Sequence, residues 1–436
     1  MSFFTPFYIL NADFSLRVAV SRREEQGGAD CAFQMRNGVK QMRKSVTKQM
    51  MTTDIRQMSM SMISSMGNFL PKKMVVIAGD QTVNWVAVGQ SGVIAKSPDG
   101  NVWTPAATST YGNVGGITLG RSVAYGKDGT GAGLWVAVGD GGVIAKSTDG
   151  NVWTPAATVS GISGKGGITG AGRGVAYGKD GNGAGLWVAV GSDGLIAKST
   201  DGNVWTPAYT TVAGNVGGIT TNGYGVAYGK DVSNAGLWVA VGEGGIIAKS
   251  TDGNVWTPAA TSVAGNVGGI TGAGYGVAYG KDASGAGLWV AVGYGGGLIA
   301  KSKDGNVWTP AATSTYGNVG GITTSGYRVA YGKDALGAGL WVAGGRGGII
   351  AKSTDGNVWT PAYTTVVGNV GGITTMGLGV AYGNGLWVAV GQGGIIAKST
   401  DGNVWTPAAT STYGSVGGIT TSGRDVAFKD ILYLRD

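Results

Sequence analysis

The sequence predicts an all-β chain, a seven-bladed β-propeller of four-stranded antiparallel blades, behind an N-terminal Met-rich arm that is partly helical or disordered. Three observations carry this. First, all fourteen tryptophans fall into two in-phase series of seven. One is Trp103, Trp153, Trp205, Trp256, Trp308, Trp359 and Trp405, with spacings of 50, 52, 51, 52, 51 and 46. The other opens each WVAVG-like run: Trp85, Trp135, Trp187, Trp238, Trp289, Trp341 and Trp387. Second, each unit holds four short runs rich in Val, Ile, Tyr and Trp, bounded by Gly, Asp or Pro, with no helical periodicity. Third, 82 of the 86 glycines follow residue 73. So much glycine often marks an unfolded chain, but a disordered chain has no use for a periodic large apolar anchor.

In one unit the strands read in order as VAYG, LWVAVG, LIAKS and VWTP, filled with the side chains that pleated, half-buried surfaces prefer. Four strands per unit and seven units suit four-stranded blades around a central channel, for which blade counts of about 4–8 occur. A β-solenoid is the rival reading. Its coils are usually shorter and its ends need caps, whereas a closed ring protects its edges. The two ends of the repeat region, 74–436, suggest closure. After the last VWTP the chain continues through DVAF, which mimics the innermost strand, and ILYLRD. The segment 424–436 is therefore expected to clasp the first blade, with an incomplete eighth blade as the alternative.

Residues 1–73 are different material. They carry 11 Lys/Arg against 5 Asp/Glu, a net of +6, while 74–436 carry 21 against 19. Apolar residues recur at helical spacing near 35–66, which suggests a basic amphipathic helix with an adaptable methionine face. The arm is either loosely ordered or a contact to a partner or membrane surface. Because the basic excess belongs to the arm, the repeats do not read as a specific nucleic-acid binder. There is no histidine, and Cys31 is the only cysteine. That removes the commonest general base, Cys-based zinc sites and intrachain disulfides. No apolar run approaches the roughly 20 residues of a membrane-spanning helix, and the opening MSFFTPFYILNADFSL lacks a basic n-region. No cofactor and no metal is expected.

The most repeated motif is a tight turn, read as STDGNVW in five units, SPDGNVW in the first and SKDGNVW in the fifth. An Asp side chain there accepts backbone N–H groups farther along, and the following Gly tolerates left-handed dihedrals. This pattern resembles the Asp-box repeat of sialidase-like propellers, Ser/Thr-x-Asp-x-Gly-x-x-Trp, with a loop one residue shorter. It is also similar to WVAVG…SxDGxxW arrays of some bacterial, phage and large-virus proteins and of photosystem assembly-factor-like propellers. The resemblance covers 74–423. It implies that Asp99, Asp149, Asp201, Asp252, Asp304, Asp355 and Asp401 are structural and lie opposite the binding face. Calcium is the competing reading, but one carboxylate per turn falls short of the roughly six to eight oxygens it takes. The family's catalysis uses three arginines, a Tyr–Glu pair and an Asp. Here the propeller has one Glu, Glu243, and near-identical blades leave little room for an asymmetric catalytic site. The chain is therefore read as not an enzyme, with a degenerate sialidase-type glycoside hydrolase as the third reading.

Function is sought where the blades differ. One variable set lies two residues before the inner Val-Ala: Arg121, Arg173, Tyr224, Tyr275, Tyr327, Leu378 and Arg424, with Arg328 adding a neighbouring charge. The other follows WVAVG: Gln90, Asp140, Ser192, Glu243, Tyr294, Arg346 and Gln392. Propeller topology brings both to the face opposite the Asp turns. Arg offers forked hydrogen bonds and Tyr a flat apolar face with a polar tip, so the rim suits an anion, a glycan or a peptide. Ordinary variation after duplication is the plainer account. The leading expectation is a non-enzymatic binding or scaffold propeller for a glycan or protein partner. A structural component of a large assembly, such as a virion or appendage, is the alternative.

Overall fold

The structure, a computed structural model, describes residues 6–10, 16–20, 82–107, 116–157, 168–208, 218–260, 270–296, 299–312, 321–362, 373, 375–409, 419 and 421–429. The chain divides into two compact units, Met1–Asp80 and Gln81–Asp436. In the first, Pro6–Leu10 pairs antiparallel with Leu16–Val20. The helix expected near 35–66 lies outside the described residues.

The second unit is a ring of seven four-stranded antiparallel sheets. Blade 2 shows the plan: Gly120–Lys127, Gly133–Gly139, Ile144–Ser147 and Thr154–Pro155, paired in sequence order. Blades 3 to 7 repeat it, their inner strands being Gly172–Lys179, Gly223–Lys230, Ile270–Lys281, Gly326–Lys333 and Gly377–Gly383. Blade 1 is assembled from both ends of the unit. Gly423–Phe428 supplies its inner strand and hydrogen-bonds to Trp85–Gly89, which continues to Ile94–Ser97 and Thr104–Pro105. The residues of ILYLRD lie outside the described part.

The fourth strand is shorter than VWTP suggests. Only Thr and Pro pair with the third strand, as in Thr206–Pro207. The reason is local: the Asn203 and Val204 N–H groups are taken by Asp201, so the ladder starts at Thr206. A two-residue outer strand ending in Pro also leaves little edge for another chain to pair with.

Each second strand is buried on both faces, which explains its unbroken apolar run. In blade 5, Trp289 and Ala291 pack toward blade 4, while Leu288, Val290 and Val292 pack toward blade 6. Seven such cores fill the seven blade interfaces, and the one joining blades 7 and 1 unites Val388, Val390 and Ile396 with Trp85, Ala87 and Val426. Trp238, Trp289, Trp341 and Trp387 have no exposed surface. Their indole N–H groups donate across the interface to the preceding blade's inner strand, as Trp238 does to the Lys179 carbonyl at 2.8 Å. Inside every blade an aromatic from the inner strand packs on this Trp, Tyr228 on Trp238 at 5.0 Å and Phe428 on Trp85 at 4.8 Å. The Gly of VAYG keeps the next interface close, because a Cβ on Gly178 would overlap the Tyr228 ring.

Candidate binding face

Strands three and four of every blade are joined at the same end as strands one and two of blades 2 to 7, so all Asp turns share one face. In each of the seven turns Asp Oδ1 accepts two backbone N–H groups and the Ser hydroxyl. In blade 4, Asn254 N, Val255 N and Ser250 Oγ lie at 2.8, 2.8 and 2.9 Å from Asp252. The turn's Trp donates to the Gly carbonyl, at 3.1 Å for Trp256 and Gly253. Gly253 has φ +69°, and a Cβ there would come within 2.5 Å of Leu186 in blade 3. Burial pushes the Asp252 carboxyl up, but the hydrogen bonds from Val255, Asn254 and Ser250 outweigh it and hold it below the usual value. The Asn after the Gly reaches the neighbouring blade, Asn203 Oδ1 accepting from Ala157 N at 3.2 Å and Asn306 Oδ1 from Ala260 N at 3.0 Å. The hydrogen bonds to Asp252 from Ser250, Asn254 and Val255 all come from its own loop, so the carboxylate braces the turn locally.

At the other end of the blades lies the mouth. Every inner strand carries a β-bulge there. In blade 3, Gly172 pairs with Gly191 and Gly174 with Val190, leaving Arg173 as the extra residue. The corresponding extra residues are Arg121, Tyr224, Tyr275, Tyr327, Leu378 and Arg424. The first variable set is thus the set of bulge residues. A bulge interrupts the ladder and re-aims one side chain; it recurs in every blade at the position where the blades differ.

Ring order segregates them. Arg424, Arg121 and Arg173 stand on blades 1, 2 and 3; Tyr224, Tyr275 and Tyr327 on blades 4, 5 and 6; Leu378 on blade 7. The Arg173 guanidinium lies 5.0 Å from the centre of the Tyr224 ring. Tyr224 meets Tyr275 edge-on at 5.0 Å, and Tyr275 meets Tyr327 at 5.5 Å. Side chains of three arginines and three tyrosines thus form one half-buried arc, basic at one end and aromatic at the other. Burial pushes the Arg424 guanidinium down, and Arg121 adds to this, with Asp140 opposing. The Nε atoms of Arg173 and Arg424 are buried without a hydrogen-bond partner among the described residues.

The second variable set forms an outer ring on the same face. Asp140 ion-pairs with Arg121 through Nε, and its other oxygen lies 3.2 Å from Nη2. Glu243 accepts from Asn222 Nδ2 at 2.6 Å, and hydrogen bonds from Thr221 and Asn222 hold its carboxyl below the usual value. Tyr294 is 51% exposed, and Arg346 is exposed. The backbones of Tyr294 and Arg346 bridge to Ser325 and Met376, at the start of the following blade.

Arg328, grouped with the mouth in the sequence, stands instead in the axis. The residue after each bulge is glycine in four blades: Gly174, Gly225, Gly276 and Gly379. In the other three it is Ser122, Arg328 and Asp425, and these meet around a cavity of about 130 Å³. Asp425 Oδ2 accepts from Ser122 Oγ at 2.7 Å and Val123 N at 3.3 Å, and Oδ1 faces Arg328 Nε at 3.7 Å. Burial pushes the Asp425 carboxyl up, against the pull of Arg328, Ser122 and the backbone N–H groups. Asp425 and Ser122 were not singled out in the sequence. The blade-to-blade comparison that found the rim would have found them one residue farther on.

Among the described residues no group of three His, Cys, Asp or Glu could hold a metal, and no helix is long and apolar enough to cross a membrane. No protein-family model and no curated protein matches the sequence. Solved structures similar to the chain include YCF48 bound to D1 peptide (16% identity, TM-score 0.42, covering 66% of this chain and 82% of that one). Another is YCF48 from Cyanidioschyzon merolae (16%, 0.42, 70% and 87%). The computationally designed Ika8 protein is a third (12%, 0.45, 80% and 92%).

Proposed function

We propose that the chain is a non-enzymatic binding propeller that docks a protein partner on the mouth, with Asp-box-type turns as braces on the far side. The observation that carries this is the segregated ring of bulge residues. Three arginines on consecutive blades followed by three tyrosines on consecutive blades make a directional surface, which a partner can read in only one orientation. Fork-shaped donors favour carboxylates, and aromatic faces favour apolar or cationic groups. Arg328, Asp425 and Ser122 stand in the axis, which favours contact on the surface over entry into a channel. A glycan is the other ligand the tyrosine faces suit.

The test uses the full chain as bait beside two variants, Arg121→Ala/Arg173→Ala/Arg424→Ala and Tyr224→Ala/Tyr275→Ala/Tyr327→Ala. A protein retained by the wild type and lost from both, with unchanged melting, is the expected result. Equal retention by all three would remove the mouth as the docking face. A glycan array run with the same proteins identifies a lectin instead, and turnover of a fluorogenic sialoside would overturn the non-enzymatic reading.

A further inference from the structure

Arg328 reaches across the axis to the Arg173 carbonyl of blade 3, and its hydrogen bonds share one property. Nη1 donates to the Tyr275 carbonyl at 2.6 Å and to the Tyr327 carbonyl at 3.3 Å. Nη2 donates to the Arg173 carbonyl at 3.4 Å, 155 residues away in sequence. All three acceptors are main-chain oxygens of bulge residues. Its ion-pair partner, Asp425, follows the bulge residue Arg424 and binds Ser122, which follows the bulge residue Arg121. Ser122 in turn lies 3.4 Å from the Val175 N–H of blade 3. The half-buried Arg328 with the buried Asp425 and Ser122 therefore touches the backbone beneath both the basic and the aromatic halves of the mouth.

We propose that Arg328 is a positioning residue for the mouth: its guanidinium ties the bulges of blades 3, 5 and 6 together across the axis, and Asp425 and Ser122 extend the tie to blades 1 and 2. The physical grounds are the planar fork and the permanent charge of guanidinium, which can serve several carbonyls at once and is costly to leave unpaired in a buried site. Glycine would be the default here. The inner strands of blades 3 to 6 approach so closely that a Cβ on Gly174 would lie 2.9 Å from the Tyr224 carbonyl oxygen, and one on Gly276 would lie 2.8 Å from that of Tyr327. A long side chain at this position departs from the repeat, and it satisfies carbonyls that the hydrogen-bond ladder of a bulge leaves over. The inference rests on the mouth being the working face, but its test does not require a ligand.

Hydrogen exchange on the full chain separates a strut from a general stabiliser. In Arg328→Gly, amides of the bulges in Gly172–Lys179, Ile270–Lys281 and Gly326–Lys333 are expected to exchange at least tenfold faster. Those in Gly223–Lys230 and Gly377–Gly383, which Arg328 does not bond, should hold their rates. Arg328→Lys keeps the charge beside Asp425 but cannot fork to three carbonyls, so it should resemble the glycine variant in blades 3 and 5. Wild-type exchange in the lysine variant would reduce Arg328 to a counter-ion and overturn the proposal. So would uniform acceleration in all blades, or none. Because Arg328→Gly leaves a buried carboxylate unpaired, Arg328→Gly/Asp425→Gly is measured beside it. Local acceleration there supports the strut, and failure of the double variant to fold would make the pair a global stabiliser and refute it. Should the bait experiment find no partner, the mouth reading fails while the exchange pattern still judges the strut.

Discussion

At the scale of residues, one oxygen does the repeated work of the Asp turns. Asp252 Oδ1 holds two N–H groups and a hydroxyl, so the backbone can leave the third strand and re-enter the fourth within a few residues. Asp252→Ala should therefore cost about 1–2 kcal/mol, the ordinary penalty for backbone N–H groups that lose an acceptor, read as a lower denaturant midpoint. Partner retention should not change, since the turn is on the far face. That role was legible from residue types alone, because Ser, Asp, Gly and Trp at fixed offsets form a closed local system. The neighbouring Asn was not. Its partner, as for Asn203 and Ala157, is 46 residues away, and a contact between blades leaves no local pattern.

Elements explain why the second strand is the most uniform part of each unit. Buried on both faces, it must offer a large ring to one neighbour and branched side chains to the other, as Trp289 and Val290 do. Its unbroken apolar run identifies a strand, but the alternation between two different neighbours appears only once blades are stacked. The terminal strand Gly423–Phe428 obeys the same rule, with Val426 in the last interface and Phe428 against Trp85. Deleting 423–436 exposes both faces it covered. Two large apolar side chains at roughly 1.5–3 kcal/mol each imply a loss of about 3–6 kcal/mol and a melting temperature lower by several degrees to about 10 °C. An unchanged melting temperature in a calorimetric scan would refute the closing role.

Over the whole molecule, the turns act together on the response to pH. Asp149, Asp201, Asp252, Asp304, Asp355 and Asp401 all have carboxyls held below the usual value, where hydrogen bonds outweigh burial. A folded value below the unfolded one means stability that is present above the unfolded pKa, about 3.9, and is lost as pH falls through the folded values. Asp425 has the opposite sign: with its folded value raised, it binds a proton more readily when folded and so favours the native state as pH falls. Hydrogen bonds also hold Asp128, Asp231, Asp282 and Glu243 below their usual values, so the carboxyls with lowered values outnumber Asp425. The melting temperature should be nearly flat from pH 7 to 5 and drop below about pH 4; a midpoint unaffected by acid would show that the turn carboxylates contribute nothing. The sequence by itself determined the ring of seven, the strand order, the bracing turns and the positions at which blades differ, because each is written as a local period of side chains. Only the tertiary structure decided that the variable residue is the extra residue of a bulge, and that its neighbour therefore lies in the axis. A bulge changes which face a side chain takes without changing its residue type, and the axial partners Arg328, Asp425 and Ser122 meet only after the ring has closed.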